Sequence, residues 1–393
     1  MTTTLTDLDR ARDVALDLSG WGRRFVFYQP RNFAFWGYAA LVGIGVLTFL
    51  STLAREYNAY GEAIGLAVTS FTIYAALFWW FTDRIDHYAK LPHKLMVVAF
   101  LWGGFAATGV MAANANDALL ALYGKKFGQV WALNWGAGLA APFTEEIAKG
   151  SGLLLLIALA QRHIRTAFDG FILGAFIGLG FQIFEDITYA LTSAGTQFGA
   201  NQIGASVGTI ILRMLTGVAA HILYSAIFCA GLVYLVGRPA EPRKTGRGLV
   251  LIAIPMLLHG AWDSVDAIAG QNAAQLIGLL IGMIIVALII VARVYNLTVS
   301  RERDFVRDVM APEQARDVIT PVELDAMAGN RKARKAYRKS GRNRQERRRA
   351  RYILNAAYSL ADELAAARGA DTDRVRFARA EVARIRAGLP SPW

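Results

Sequence analysis

The stretch APFTEEIAKG, residues 141–150, runs straight into SGLLLLIALA, residues 151–160. Two adjacent glutamates and a lysine (Glu145, Glu146 and Lys149) stand at the mouth of an apolar run long enough to enter a bilayer. A charged side chain at the membrane centre costs about 3 kcal/mol or more. Three such groups within one and a half turns of helix need compensating partners elsewhere in the chain. Both fold and function turn on where those partners lie.

Composition sets the frame. The chain has 393 residues, 55% of them hydrophobic and 18% charged, against about 25% charged in ordinary soluble domains. The charge is uneven. From Ser300 to Trp393 there are 22 Lys and Arg against 13 Asp and Glu, a net of +9, which leaves +3 of the total +12 for residues 1–299. An apolar body therefore carries a basic tail. The single cysteine, Cys229, excludes an internal disulfide and a cysteine-rich metal site. The first 31 residues are polar with no short apolar core, so no cleaved signal peptide is expected.

A helix needs about 20 largely apolar residues to cross ~30 Å of hydrocarbon. Eight segments qualify: 33–52, 63–82, 95–113, 142–160, 168–192, 207–236, 248–269 and 275–296. The expected fold is an all-α polytopic membrane protein with about eight transmembrane helices and a helical, basic cytoplasmic C-terminal region. Its expected parts are a leader at 1–31, a membrane core at 32–298 and a tail at 299–393. If every span crosses, 14 Lys and Arg of the leader and short loops fall on one side and 3 on the other. The positive-inside rule then puts both termini in the cytoplasm, and the membrane is read as the plasma membrane. No internal repeat pairs the spans into matching halves, which counts against a transporter.

Four polar constellations interrupt these spans. They are Glu145, Glu146 and Lys149; Phe181, Glu185 and Asp186 in GFQIFEDITYA; Arg213 and His221 in RMLTGVAAHILYS; and His259, Asp263 and Asp266 in LLHGAWDSVD. His259 and Asp263 lie one helical turn apart on one face, as do Glu145 and Lys149. That spacing lets two side chains reach one metal ion or share one proton. Glu146 points about 100° away from Glu145, which suits the two glutamates to different tasks. Measured from the cytoplasmic ends of their spans, Glu146, His221 and Asp263 rise about 23 Å and Glu185 about 26 Å, with His259 about 6 Å below Asp263. Taken singly, each residue has a plain structural reading. Buried ion pairs hold helices together, His221 fits a core histidine, Phe181 fits packing, Asp186 and Asp266 fit positions facing outward or near the interface, and Arg213 fits a snorkelling side chain. Independent structural charges have no reason to coincide in height, whereas a shared site does, here in the outer third of the bilayer.

The order and placement of these motifs resemble the PrsW family of intramembrane proteases. The pattern EExxK reads here as EEIAK (Glu145 to Lys149), FxxxE as FQIFE (Phe181 to Glu185) and HxxxD as HGAWD (His259 to Asp263). The same helical core is similar to the wider CAAX-processing and bacteriocin-immunity proteases, with their EExxxR and HxxxN/D patterns. The resemblance covers about residues 30–296 and not the basic tail. It implies peptide-bond hydrolysis within or at the edge of the membrane, on a membrane-anchored protein such as an anti-sigma-factor-like regulator, near the outer face. It implies either a metalloprotease or a glutamate-activated water without metal.

On that reading the catalytic set is Glu145, Glu146, Lys149, Glu185, His259 and Asp263. Glu146 is expected to act as general base, since a poorly hydrated carboxylate is suited to take a proton from water. Lys149 and Glu145 would stabilise each other. His221, Glu185, His259 and Asp263 would bind zinc or another divalent metal, or hold water and the oxyanion with no cofactor. The chain has no HExxH motif, so the metal is not specified by sequence. The competing functions are a proton- or ion-coupled transporter using the same carboxylates, against which the single common depth argues, and an inert membrane scaffold.

The tail reads as helical at 312–327, 345–368 and 373–388, the last capped by Asp371 or Thr372. Residues 330–352 hold 12 Lys and Arg against one acid. Such a run is attracted to anionic lipid at about 1 kcal/mol per nearby basic residue. Nucleic-acid or ribosome contact, or an acidic protein partner, is the alternative.

Overall fold

The computed structural model describes residues 4–270 and 272–388, so the first residues of the expected leader and the last of the expected tail lie outside the described residues. Among the described residues there is no strand, only an isolated bridge between Arg238 and Glu241. In chain order the main helices are α1 (Leu5–Ser19) and α2 (Phe33–Ile85), then α3 (His93–Phe127), α4 (Ala137–Leu159) and α5 (Ala167–Ala194). Next come α6 (Gln202–Thr216), α7 (His221–Val236), α8 (Thr245–Asp263) and α9 (Ala273–Thr298). The last five are α10 (Ser300–Ala315), α11 (Pro321–Ala328), α12 (Arg331–Lys339), α13 (Arg344–Ala366) and α14 (Asp373–Ala387). The chain divides into two compact units: residues 25–85 with 92–297, and residues 1–24 with 86–91 and 298–393.

Six stretches among the described residues are long and apolar enough to cross a membrane. They are α2, α3, α5, the α6–α7 stretch Gln202–Val236, α8 and the α9–α10 stretch Ala273–Ala315. Two of the eight expected spans are not separate members of this set. Spans 33–52 and 63–82 form one 53-residue helix whose only non-helical residue is Tyr60 (φ −132°, ψ 25°). Both arms of that helix reach α5 at the same level. Phe49, before the bend, packs its ring 4.8 Å from Phe184, and Tyr74, after it, receives a hydrogen bond from Gln182 at 3.4 Å. The other is α4, which carries Glu145, Glu146 and Lys149 together. The seventh span is shorter than expected, because α8 ends at Asp263 and only a short turn, Val265–Ala269, follows. There Ser264 leaves helical geometry (φ −102°, ψ 8°).

Helix α5 is the centre of this unit, and 94% of its apolar window is buried. It starts at a capping box: Thr166 Oγ1 accepts from the Asp169 N–H at 3.2 Å, and Asp169 Oδ2 accepts from the Thr166 N–H at 2.8 Å. Two glycines one turn apart then let α7 approach backbone to backbone, the small-xxx-small device of membrane helices. A methyl group at Gly174 would lie 2.3 Å from the Ser225 carbonyl oxygen, and one at Gly178 would lie 2.2 Å from that of His221. Helix α3 takes π geometry over Trp102–Ala112. A π stretch places more residues in each turn, so it rotates everything beyond it relative to an α continuation. By contrast only 6% of the apolar window that begins with α9 is buried, and Ile277, Ile281, Ile285 and Ile289 face outward, as suits a helix against lipid.

In the second unit, α1 packs on α10. Its Arg12 donates to the fully buried Glu313 at 3.2 Å, and Arg379 of α14 grips the same carboxylate at 2.6 and 2.9 Å. Trp21 Nε1 donates to Asp362 of α13 at 3.1 Å. The tail helix expected at 312–327 is instead two, α10 and α11. Asp317 turns left-handed (φ 58°), and Thr320 starts α11 with a capping box and Pro321 in its first turn. The cap of α14 is Thr372, whose side chain accepts from the Val375 N–H.

The α5–α7 contact yields a test. Gly178→Ala forces a methyl into the His221 carbonyl, and such overpacking costs about 1–3 kcal/mol. The purified variant should melt at lower temperature in detergent and lose activity, whereas Gly65→Ala, with nothing within 4 Å, should match the parent in both.

Candidate active site

Helix α4 presents Glu145, Glu146 and Lys149 at i, i+1 and i+4, and all three are buried. Lys149 has no exposed surface, so its ammonium needs partners on every side. It donates to Glu146 Oε1 at 2.8 Å and to Glu145 Oε2 at 3.4 Å, and lies 3.0 Å from His221 Nδ1. The Phe181 ring from α5 covers it, 4.0 Å from nitrogen to centroid. Phe181, read from sequence as packing, is thus part of the ammonium's solvation.

The partners arrive from α5, α6, α7 and α8. The α6–α7 stretch is broken at Ala220 (φ −110°, ψ −130°), so His221 is the first residue of α7. Its Nδ1 faces an ammonium and must accept, which puts the proton on Nε2. Nε2 then donates to Glu185 Oε2 at 2.9 Å. Arg213 of α6 donates to the same oxygen at 2.6 Å and also to Asp186. Arg213 is therefore tied to the site and does not reach for an interface. Asp186 is fully buried, not outward-facing as its place in the span suggested, because Arg213 holds it. Asp266 is exposed and takes no part.

From α8, His259 Nε2 lies 3.4 Å from Asp263 Oδ2 and 3.7 Å from Glu145 Oε2, while its Nδ1 lies 3.3 Å from Glu146 Oε1. The residues counted to nearly one height, Glu146, Glu185, His221 and Asp263, with His259 a turn lower, thus belong with Glu145 to one connected cluster. The cluster opens on a cavity of about 930 Å³ walled by Glu145, Glu185, His221, His259 and Asp263. Neither Glu146 nor Lys149 lines it. Both lie behind that wall, with Glu146 at zero exposure.

Two cavity residues escaped sequence reasoning. Asn116 donates to Glu145 Oε1 at 3.1 Å and accepts from the Thr144 hydroxyl, which fixes its amide nitrogen toward the carboxylate. It lies beyond the expected end of the third span, on the part of α3 that follows the π stretch. Its polarity within ANANDALL is the signal that was available. Tyr224 also lines the cavity, three residues after His221, and nothing in HILYS distinguishes it from an ordinary core tyrosine.

The donors fit a divalent ion in type and spacing. One ligand atom each from Glu145, His221 and His259 lie within 4.8 Å of one another, and all three residues are buried. Two imidazoles and a carboxylate are a zinc-type set that leaves a position for water. His259 Nδ1 and Glu146 Oε2 are sealed from solvent and make no hydrogen bond, so the cluster is not internally saturated. His221 can offer Nδ1 to an ion only when Lys149 withdraws from it, and Glu146 at 2.8 Å remains as the lysine's partner.

No curated protein and no solved structure matches this chain. Residues 91–292 match the family model described as PrsW family intramembrane metalloprotease. That span contains α3 to α8 and every residue of the cluster. With just over half of its length matched, this chain belongs to the PrsW family of intramembrane metalloproteases.

Proposed function

We propose that this peptidase cuts a membrane-anchored protein in the cavity walled by Glu145, His221 and His259, near the outer membrane face. The observation that carries this reading is the convergence of three buried donors, separated by up to 114 residues, at the wall of one cavity. The class of substrate implied by the resemblance is an anti-sigma-factor-like regulator. Eight crossings are proposed, counting the two arms of α2 and the charged α4 separately, with both termini cytoplasmic in the plasma membrane. The 14 to 3 division of basic residues supports that orientation.

Glu145, His221 and His259 would hold a divalent ion, which when bound polarises the scissile carbonyl and activates water. The chain's own groups do the rest. Glu185 fixes the His221 ring through its Nε2–H, and Asn116 fixes Glu145 through Oε1. Asp263 reaches the cavity beside His259. Its carboxylate takes the proton of the attacking water and returns it to the departing amine. Lys149 and Glu146, shut away from the cavity, hold the wall in place and are not assigned a proton. One observation favours a second reading, in which Glu145 alone deprotonates water. The Lys149 ammonium stands 3.0 Å from His221 Nδ1, where it already supplies positive charge.

Helices α12 and α13 expose Arg331, Lys332, Lys335, Lys339, Arg344 and Arg347. This basic surface supports the proposed contact of residues 330–352 with anionic lipid.

Three tests follow from this site. Elemental analysis of purified protein should find about one divalent ion per chain, and chelation should abolish cleavage. Full activity in metal-free protein removes the ion and leaves the Glu145 reading. Glu145→Gln should eliminate cleavage even in its folded fraction, while Glu146→Gln, which breaks the closer buried pair, should lower stability by about 3–5 kcal/mol yet leave the folded fraction active. The opposite pattern restores Glu146 as the base. Changing Lys332, Lys335 and Lys339 together to alanine should weaken binding to phosphatidylglycerol vesicles by about 3 kcal/mol; unchanged binding rejects the lipid contact.

A further inference from the structure

Tyr224 is 2% exposed. Its ring lies against both cluster histidines, stacked on His259 (5.4 Å, 27°) and edge-on to His221 (6.4 Å, 83°). A buried tyrosine hydroxyl normally finds a hydrogen-bond partner. This one has none among the described residues, and it is not among the buried polar atoms sealed from solvent. Tyr224 lines the cavity together with both histidines. Three neighbouring donors are already engaged: Asn116 with Glu145, Arg213 with Glu185 and Asp186, His221 with Glu185. The two imidazoles fix the ring, so the O–H is preorganised and spare.

We propose that Tyr224 is a catalytic residue whose O–H donates a hydrogen bond to the carbonyl oxygen of the scissile peptide bond as that oxygen gains negative charge. No proton leaves the tyrosine, and the bond strengthens only while the tetrahedral centre exists. Such a donor acts on the rate and hardly on ground-state binding. The assignment rests on the cavity wall being the site of cleavage.

The test uses full-length protein in cells that express the parent, Glu145→Gln, Tyr224→Phe or the double variant from an inducible promoter. Fragments of membrane-anchored proteins are followed by quantitative mass spectrometry. Fragments made by the parent and not by Glu145→Gln define the substrates. Tyr224→Phe, which keeps the ring, should yield the same fragments about 100-fold more slowly, the effect of losing one oxyanion donor. Its melting temperature in detergent should equal the parent's. Uncleaved substrate should co-purify with the double variant as well as with Glu145→Gln. Parental rates in Tyr224→Phe overturn the assignment alone and leave the site standing. Loss of substrate capture in the double variant also overturns it, since the hydroxyl would then bind the ground state. If Tyr224→Phe melts early, its rate is taken per folded molecule below its melting transition, and parental rates there overturn the assignment equally. Continued cleavage by Glu145→Gln removes the site, and Tyr224 with it.

Discussion

A buried ammonium governs the arrangement. Lys149 has no exposed surface, so two carboxylates of its own helix, one imidazole and one aromatic face surround it. Each of these groups commits a helix. Glu145 and Glu146 set the face that α4 turns inward, Phe181 sets the rotation of α5, and His221 sets the starting point of α7. Taking away one member of a buried charge set leaves the others unpaired in a medium of low polarisability, a penalty of several kcal/mol. The cluster therefore specifies how these three helices meet, and the cavity inherits its wall from that agreement.

The charges are graded from the interior to the cavity. The deepest pair, Lys149 with Glu146, is closed off. Glu145, His221 and His259 lie between that pair and the open space. Glu185 is stabilised from outside by Arg213, so His221 is held from both ends of its ring. A histidine clamped at both nitrogens cannot rotate, and immobility is what both metal binding and oriented proton transfer require. Asp263 is less restrained, beside a histidine whose other nitrogen has no hydrogen-bond partner, and this is why proton movement is placed there.

Much of this was legible in the sequence. The three motifs EEIAK, FQIFE and HGAWD, with His221, could be placed at one height by counting residues, because helical rise is constant and the spans alternate in direction. What the count lacked was rotation. Whether Glu145 or Glu146 faces the cavity depends on which side of α4 meets α7 and α8, and apolar residues surround both glutamates alike. Asn116 was hidden for a similar reason, since it follows a π stretch that no local pattern announces. In the tail, the left-handed Asp317 before the Thr320–Pro321 start divided what reads as one continuous helix.

A histidine of the cluster and a close helix contact occupy one place. The carbonyl that Gly178 abuts belongs to His221 itself, whose side chain faces the cavity. Packing and chemistry are ordinarily open to separate mutational drift, with cores tolerating swaps of similar volume and sites tolerating none. Here a single added carbon at position 178 touches both. Selection for a folded chain and selection for an active one act on the same glycine, so descendants of this protein should lose them together.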